Sequence, residues 1–512
     1  MSASQEAKGA DFSQGIDRAT LTDGATLCGH VGDEAALLSR RGDQYFAVSG
    51  SCTHYGGQLA EGVIEGDLAH CPLHHACFDL RTGEALTGPA FSPLKRWRVD
   101  VSANRLTVSA PLADAAPQKL KADPSIKRIV IIGGGAAGFA AAEMLRRRGF
   151  DGALTMLSED SDAPYDRPNL SKDYLAGEAP EEWMPLRDDA FYKDSKIDLQ
   201  LATKVAKIDT GARTVTNASG QSHAYDRLLI ATGATPIHPP GYAHSRVHTL
   251  RSFADCRALI EAAKTAKRAV VVGSGFIGLE TAAALRHLGI AVDVVAPEAS
   301  PMLKLLGEDI SKSIQAVHEK HGVRFHFGEK AAGFDGAKLQ LESGKTLEAD
   351  LLVLGMGVKP NTQLAEAAGL KVSNGIEVDA YLRTSDAHIF AAGDVARYPD
   401  PVGAETARVE HWVAAQRQGQ FAAINMLGAQ TPFTATPFFW SNHYEDLHLH
   451  YVGYASSWER VDIDGDVNAG AYTARYIRNG RVIAAVSNNR NKENVRIQLD
   501  MGSERRKTSA QA

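Results

Sequence analysis

Apolar and polar positions alternate in short runs over residues 1–110, as in Gln44-Tyr-Phe-Ala-Val-Ser-Gly-Ser, Arg96-Trp-Arg-Val-Asp-Val and Arg105-Leu-Thr-Val. A period of two, punctuated by Gly and Asp, predicts a small antiparallel β domain with loops around residues 52–57 and 71–77. Residues 111–125 break the pattern, and their Pro, Ala, Asp and Lys content reads as a linker. From Ile126 onward, apolar runs of strand length alternate with alanine-rich stretches, as a parallel sheet requires. One unit occurs twice: Arg128-Ile-Val-Ile-Ile-Gly-Gly-Gly-Ala-Ala-Gly and Arg268-Ala-Val-Val-Val-Gly-Ser-Gly-Phe-Ile-Gly, 140 residues apart. From about Thr431, aromatic Pro437-Phe-Phe-Trp-Ser-Asn-His-Tyr and the strand-like runs at Gly470 and Arg481 predict a small α+β module. The polar tail, Gly502 to Ala512, reads as disordered.

Composition narrows this picture little. A 512-residue chain with 44% hydrophobic and 23% charged residues can bury a large core. Its net charge of −6 argues against a nucleic-acid partner. The most apolar stretches, Ile129–Ala142 and Ala269–Leu279, are glycine-rich and meet Glu143 and Glu280, which suits buried strand–turn–helix units rather than lipid spans. No membrane association is expected. The N-terminal residues Met1–Asp11 lack the apolar core of a signal peptide, which places the protein in the cytoplasm. Five cysteines, Cys28, Cys52, Cys71, Cys77 and Cys256, make a poor disulfide framework, as a reducing compartment favours.

Two of those cysteines carry chemistry. Cys52-Thr53-His54 is followed, after sixteen residues, by Cys71-Pro72-Leu73-His74. Two thiolates and two imidazoles at this spacing suit a [2Fe–2S] cluster in which histidines replace two cysteines on one iron. A zinc site is the alternative, but Cys-x-His spacing is unusual for it. Cys52, His54, Cys71 and His74 are the expected ligands. His70 and His75 are expected to be solvated neighbours, and Cys77 a packing residue.

The run Cys71-Pro-Leu-His-His-Ala-Cys-Phe-Asp-Leu-Arg-Thr-Gly-Glu resembles the Rieske ferredoxin family. His75 departs from it, since the family usually has glycine there, and a non-glycine residue strains a tight turn. The respiratory branch of that family carries an extra cysteine pair where this chain has Gly57 and Leu73. It also carries Ser and Tyr hydroxyls where this chain has Ala76 and Phe78. Fewer hydrogen bonds to the cluster imply a potential near the lower end of the roughly −150 to +300 mV Rieske range.

Gly133, Gly135 and Gly138 follow a β-branched strand and open a helix, the context a dinucleotide pyrophosphate needs. Glu159, 21 residues past Gly138, is placed for a ribose. Gly273, Gly275 and Gly278 repeat the arrangement. Leu228-Leu-Ile-Ala-Thr-Gly-Ala lies between the two motifs, and Ile389-Phe-Ala-Ala-Gly-Asp394 follows them. This ordered set resembles the flavoprotein reductases with two dinucleotide-binding domains, in which the first motif holds FAD and the second NAD(P)H.

The expected fold class is therefore multidomain: an all-β Rieske domain, an α/β flavoprotein with its NAD domain inserted in its FAD domain, and a C-terminal α+β module. The expected divisions are 1–110, a linker at 111–125, FAD segments 126–246 and 375–432 around an NAD(P)H segment 247–374, and the module 433–512. Pro164-Tyr-Asp-Arg-Pro-Asn-Leu-Ser-Lys172 and Arg408-Val-Glu-His-Trp-Val-Ala-Ala-Gln-Arg-Gln-Gly are similar to the ferredoxin and rubredoxin reductases and the apoptosis-inducing-factor-like proteins. With a Rieske domain in front, the chain most resembles the Rieske-containing apoptosis-inducing-factor-like group. The redox cysteine pair of the glutathione-reductase branch is missing, which excludes disulfide chemistry.

The resemblance implies that Arg167, Lys172, Ala231, Thr232, Gly233, Asp394, Glu410, His411 and Trp412 surround FAD, with Asp394 on the ribityl chain. Ala137, Val205, Ile277 and Gly357 are counted among the cofactor-binding positions. Lys172 and Glu280 would pair beside the reactive edge of the flavin as the catalytic pair. Ala296 occupies the usual acidic position of the second motif and Glu298 follows two residues later, with Lys304 the nearest cation. Glu298 would repel a 2′-phosphate, favouring NADH over NADPH. The implied enzyme moves hydride from NADH to FAD, then single electrons to the [2Fe–2S] cluster and an acceptor such as an oxygenase or cytochrome P450. The alternative is an apoptosis-inducing-factor-like redox-responsive binding protein.

Overall fold

The computed structural model describes residues 9–400 and 406–511. Residues 1–8 of the stretch read for a signal core, and Ala512 of the polar tail, lie outside these. The chain divides into two compact units: the part up to Lys119 together with Arg490–Asp500, and Leu120–Asn489 together with Met501 onward.

The first unit is built on antiparallel sheets. Strands Thr26–Val31, Glu34–Arg41, Gln44–Ser49, Arg96–Val101 and Arg105–Leu112 form the body of a seven-stranded sheet. Its alternating side chains bury Leu38, Ala47, Trp97, Leu106 and Val108 on one face. A four-stranded sheet, Val63–Glu65, Leu68–His70, Cys77–Asp79 and Ala85–Thr87, carries the second cysteine loop on its central hairpin. The first cysteine loop follows strand Gln44–Ser49.

The second unit contains two parallel sheets. Strands in the order Ile197–Gln200, Ala153–Leu157, Arg128–Ile132, Arg227–Ile230 and Ile389–Ala391 make the first. The second runs Val247–His248, Leu351–Leu354, Arg268–Val272, Ala291–Ala296 and Val323–Phe327. Strands Arg227–Ile230 and Ile389–Ala391 are neighbours in space, yet every strand of the second sheet falls between them in sequence. The second dinucleotide-type domain is thus inserted into the first. A five-stranded antiparallel sheet, from Phe438–Tyr444 to Arg481–Asn488, forms the C-terminal module. Among the described residues no helix is long and apolar enough to cross a membrane.

Two expectations are corrected. The polar tail is helical, part of a single helix Asn491–Gln511. Its polar residues are held by tertiary partners: Arg505 and Asp400 form a buried ion pair, and Arg481 reaches Glu504 at 3.4 Å. His70 and His75 are not solvated; they are 8% and 1% exposed. His75 Nδ1 meets Gln498 Oε1 at 2.8 Å, and His70 Nε2 lies 3.9 Å from Cys77 Sγ.

Candidate functional site

The two cysteine loops have the same backbone design. Cys52 N–H donates to the Gly57 carbonyl and Gly56 N–H to the Cys52 carbonyl. In the same way Cys71 N–H donates to Ala76 and His75 N–H to Cys71. The fifth residue of each loop is left-handed: Gly56 at φ 70° and His75 at φ 58°. These matched turns bring the four candidate ligands together as two pairs. The Cys52 and Cys71 thiols share a hydrogen bond, and His54 Nδ1 faces His74 Nδ1 at 3.0 Å. The Tyr55 ring stacks on His54 at 4.1 Å.

The donor set fits a binuclear cluster. The two sulfurs face one another and so do the two ring nitrogens, so that one pair could be offered to each iron. The hydrogen bond from Cys52 pulls the Cys71 thiol below its usual range, helped by the N–H groups of Leu73 and His74. The same bond and burial push Cys52 up. Burial pushes His54 down to about 3, keeping its imidazole neutral, as metal ligation requires.

In the second unit, both glycine turns open on one cavity of about 570 Å³. At Gly133, φ 108°, a Cβ would lie 2.3 Å from the Ala231 carbonyl; at Gly273, φ 112°, one would lie 2.2 Å from that of Gly355. No side chain fits there, so each strand can turn tightly into its helix, Ala136–Arg147 or Phe276–His287. Gly135 and Gly275, at the two helix N-caps, are open by contrast. The nearest neighbours of a Gly135 Cβ would be the Arg167 guanidinium nitrogens at 3.6 and 3.7 Å, and Gly275 has none within 4 Å. Two N-terminal cradles, one beside an arginine, fit the pyrophosphates of two dinucleotides.

Lys172 and Glu280 meet on the cavity wall, Nζ to Oε2 at 2.7 Å, with side chains 11% and 2% exposed. Glu280 also accepts from Ser171 Oγ and Ser441 Oγ, each at 2.5 Å. A buried carboxylate is tolerable here because one cation and two hydroxyls compensate it. Asp394 sits on the same wall and accepts from Arg251 at 2.8 Å. Burial pushes His411, also lining the cavity, down to about 4. Burial raises Asp166, beside Arg167, to about 7. The one cysteine near this segment, Cys256, donates to the Leu170 carbonyl at 3.2 Å, and burial pushes its thiol up to about 12.

Of the residues singled out from sequence, the cavity collects Gly135, Ala137, Arg167, Lys172, Ala231, Gly233, Gly275, Ile277, Gly278, Glu280, Gly357, Asp394, Glu410, His411 and Trp412. Gly133, Gly138, Val205, Thr232, Gly273, Glu159 and Glu298 are not on its wall. Gly138 packs on the Gly133 carbonyl, Val205 is core, and the Thr232 hydroxyl bonds the Asn361 carbonyl at 2.8 Å. Glu159 pairs with Lys204 in solvent. Arg251, Ser171, Ser441 and Phe439 were not singled out as site residues. Their partners are remote in sequence: Ser171 lies inside the Pro164–Lys172 motif and Phe439 and Ser441 inside the aromatic run 437–444, but neither motif says what they bond.

Residues 127–419 match the pyridine nucleotide-disulphide oxidoreductase family, residues 16–98 the Rieske [2Fe-2S] domain, and residues 438–512 the reductase C-terminal family. The chain is 37% identical over 401 residues to the ferredoxin–NAD(+) reductase component of the anthranilate 1,2-dioxygenase system of Burkholderia cepacia. That match covers 77% of this chain and 96% of the relative. It is 30% identical over 474 residues to apoptosis-inducing factor 3 of Mus musculus, covering 88% of this chain and 78% of the relative. In structure it resembles putidaredoxin reductase in its covalent complex with putidaredoxin, with a TM-score of 0.71 at 30% identity over 74% of this chain and 93% of that one. A ferredoxin reductase from Rhodopseudomonas palustris gives 0.70 at 34% over 73% and 95%. The chain belongs to the pyridine nucleotide-disulphide oxidoreductase family, as an NAD(P)H-dependent FAD oxidoreductase of ferredoxin-reductase type fused to a Rieske [2Fe–2S] domain.

Proposed function

We propose that this chain is an NADH-dependent reductase of the cytoplasm that delivers electrons, one at a time, to an acceptor protein of an oxygenase or cytochrome P450 system. The observation that carries this reading is the single cavity onto which both glycine turns and the Lys172–Glu280 pair open. FAD, when bound, supplies the exchange of a two-electron hydride for single electrons, and a [2Fe–2S] cluster, when bound, supplies a one-electron carrier.

The chain's own residues do the rest. Cys52, His54, Cys71 and His74 hold the cluster. The Gly133–Gly138 turn and Arg167 bind the FAD pyrophosphate, and the Gly273–Gly278 turn binds that of NADH. Glu159 and Glu298 lie just past the second strand of each repeat, where a ribose hydroxyl would be met. Thr232 and Val205 support the FAD side by packing. Lys172 presents a cation where negative charge accumulates, and Glu280 fixes its position. The division at residues 110, 125, 246, 374 and 432 belongs to the same proposal. The relatives named as reductase components of dioxygenase systems support the acceptor class.

The test is anaerobic addition of NADH, with flavin absorbance and paramagnetic resonance recorded together. Flavin bleaching with a Rieske-type signal, slowed at least about tenfold in Lys172→Ala, is the expected result. A second reading has its own support, because the apoptosis-inducing factor 3 relative matches 88% of the chain. Bleaching without the signal, accompanied by a changed elution volume, would favour a redox-responsive binding protein.

A further inference from the structure

A chain of hydrogen bonds leaves the cavity behind Glu280. Ser441 Oγ donates to Glu280 Oε1 at 2.5 Å and lies 3.0 Å from His443 Nε2. His443 Nδ1 lies 3.1 Å from His318 Nε2, with the rings edge to face at 5.0 Å. His318 Nδ1 lies 3.3 Å from the Tyr444 hydroxyl. The Tyr444 ring is stacked under His321 at 3.8 Å, and His321 and Asp446 are 36% and 40% exposed. Ser441, His443 and His318 are buried. One end of the chain therefore lies on the cavity wall and the other under the solvent-facing pair.

Read outward from Glu280, these four bonds take one polarity; His443 also donates to the Leu279 carbonyl. Glu280 can only accept, so Ser441 spends its one O–H there and must accept from His443 Nε2–H. His443 Nδ1 must then accept from His318 Nε2–H, and His318 Nδ1 from the Tyr444 O–H. Burial pushes His318 down to about 3 and His443 well below its usual range, so each imidazole carries one N–H. Every donor points towards Glu280.

We propose that Tyr444, His318, His443 and Ser441 form a proton relay between solvent and Glu280. This rests on the reductase reading above. Hydride arrival brings the site two electrons and one hydrogen, one negative charge in all. One proton from solvent enters at Tyr444, each link hands its own proton inward, and Glu280 receives one. Water replaces the proton that Tyr444 gave. Removal of the two electrons releases two protons, the one on Glu280 outward through the relay and the hydride's own directly from the cavity to solvent, so the balance is NADH + 2 acceptor(ox) → NAD⁺ + H⁺ + 2 acceptor(red). An inward passage leaves both imidazoles in the opposite tautomer, and an outward passage restores them.

The test is rapid mixing of the flavin-loaded protein with NADH in weak buffer containing a pH-indicator dye. His443→Gln keeps a donor and an acceptor at that position but cannot exchange tautomers. Proton uptake should keep pace with bleaching in the wild type and fall at least about tenfold behind it in His443→Gln and His318→Gln. That is a modest part of the roughly 10²–10⁴ typical of positioned proton transfer. Uptake in step with bleaching in both variants overturns the relay. ¹⁵N resonances of His318 and His443 give a readout independent of NADH: both should report Nε2–H, and an Nδ1–H tautomer at either overturns the polarity. A wild type that NADH fails to bleach overturns the reductase reading instead, while the tautomers still judge the relay.

Discussion

His75 holds a left-handed conformation that its counterpart Gly56 adopts without a Cβ penalty. The strain costs about 1–2 kcal/mol, and the buried hydrogen bond to Gln498 offsets part of it. His75→Ala keeps the strain and loses the bond; His75→Gly loses both. Urea unfolding should therefore find the alanine variant less stable than the glycine variant by about 1 kcal/mol. Equal stabilities would mean that the φ of His75 carries no cost. Asp166 is a second residue at odds with its surroundings, because burial raises its carboxyl from the ordinary 3.8 to about 7. Between those values the folded protein binds more protons than the unfolded chain, so stability falls as pH rises. Asp166→Asn should stabilise hardly at all near pH 4 and by on the order of 2–4 kcal/mol above about pH 7. Thermal unfolding at several pH values checks this, and a pH-independent difference would contradict it. Only one of these two effects was legible in the sequence. The turn strain at His75 was, because a loop conformation is local. The burial of Asp166 was not, because it depends on elements brought up from elsewhere.

At the scale of elements, the two strand–turn–helix repeats were readable because their glycines answer a local requirement of close backbone approach. The insertion of one sheet into the other was implied by the family resemblance that the motif order carries. The end of helix Asn491–Gln511, from Gly502, was misread because its composition is polar and its order comes from tertiary partners. Its distal half depends on Arg505, whose side chain is 4% exposed against Asp400 at 6%. Removing one member of a buried pair costs about 3–5 kcal/mol. Arg505→Ala should lower stability by about 3 kcal/mol and increase amide exchange along residues 501–511. Unchanged exchange there would show that the helix is held by its apolar contacts alone. The Ser441–His443–His318 chain was equally hidden: its members come from strand Phe438–Tyr444 and helix Glu308–Lys320, and no spacing rule joins them.

At the scale of the whole molecule, the two chemistries are housed in separate compact units. All four proposed cluster ligands belong to the part before Lys119, and every residue of the cavity wall belongs to Leu120–Asn489. Each unit has its own apolar core, around Leu37, Val48 and Phe78 in one and around Val130, Leu228 and Ile389 in the other. A unit with its own core keeps its site when a side chain in the other changes. Cys71→Ser replaces a proposed thiolate ligand, already drawn below its usual range, by a hydroxyl that stays protonated. The variant should lose the Rieske-type paramagnetic signal while keeping the flavin absorbance and its bleaching by NADH. Transfer to a one-electron acceptor protein should fall, and transfer to a small dye that draws electrons directly from the cavity should not. Loss of flavin from the variant would show that the units fold as one, and undiminished transfer to the acceptor protein would show that electrons leave without the cluster.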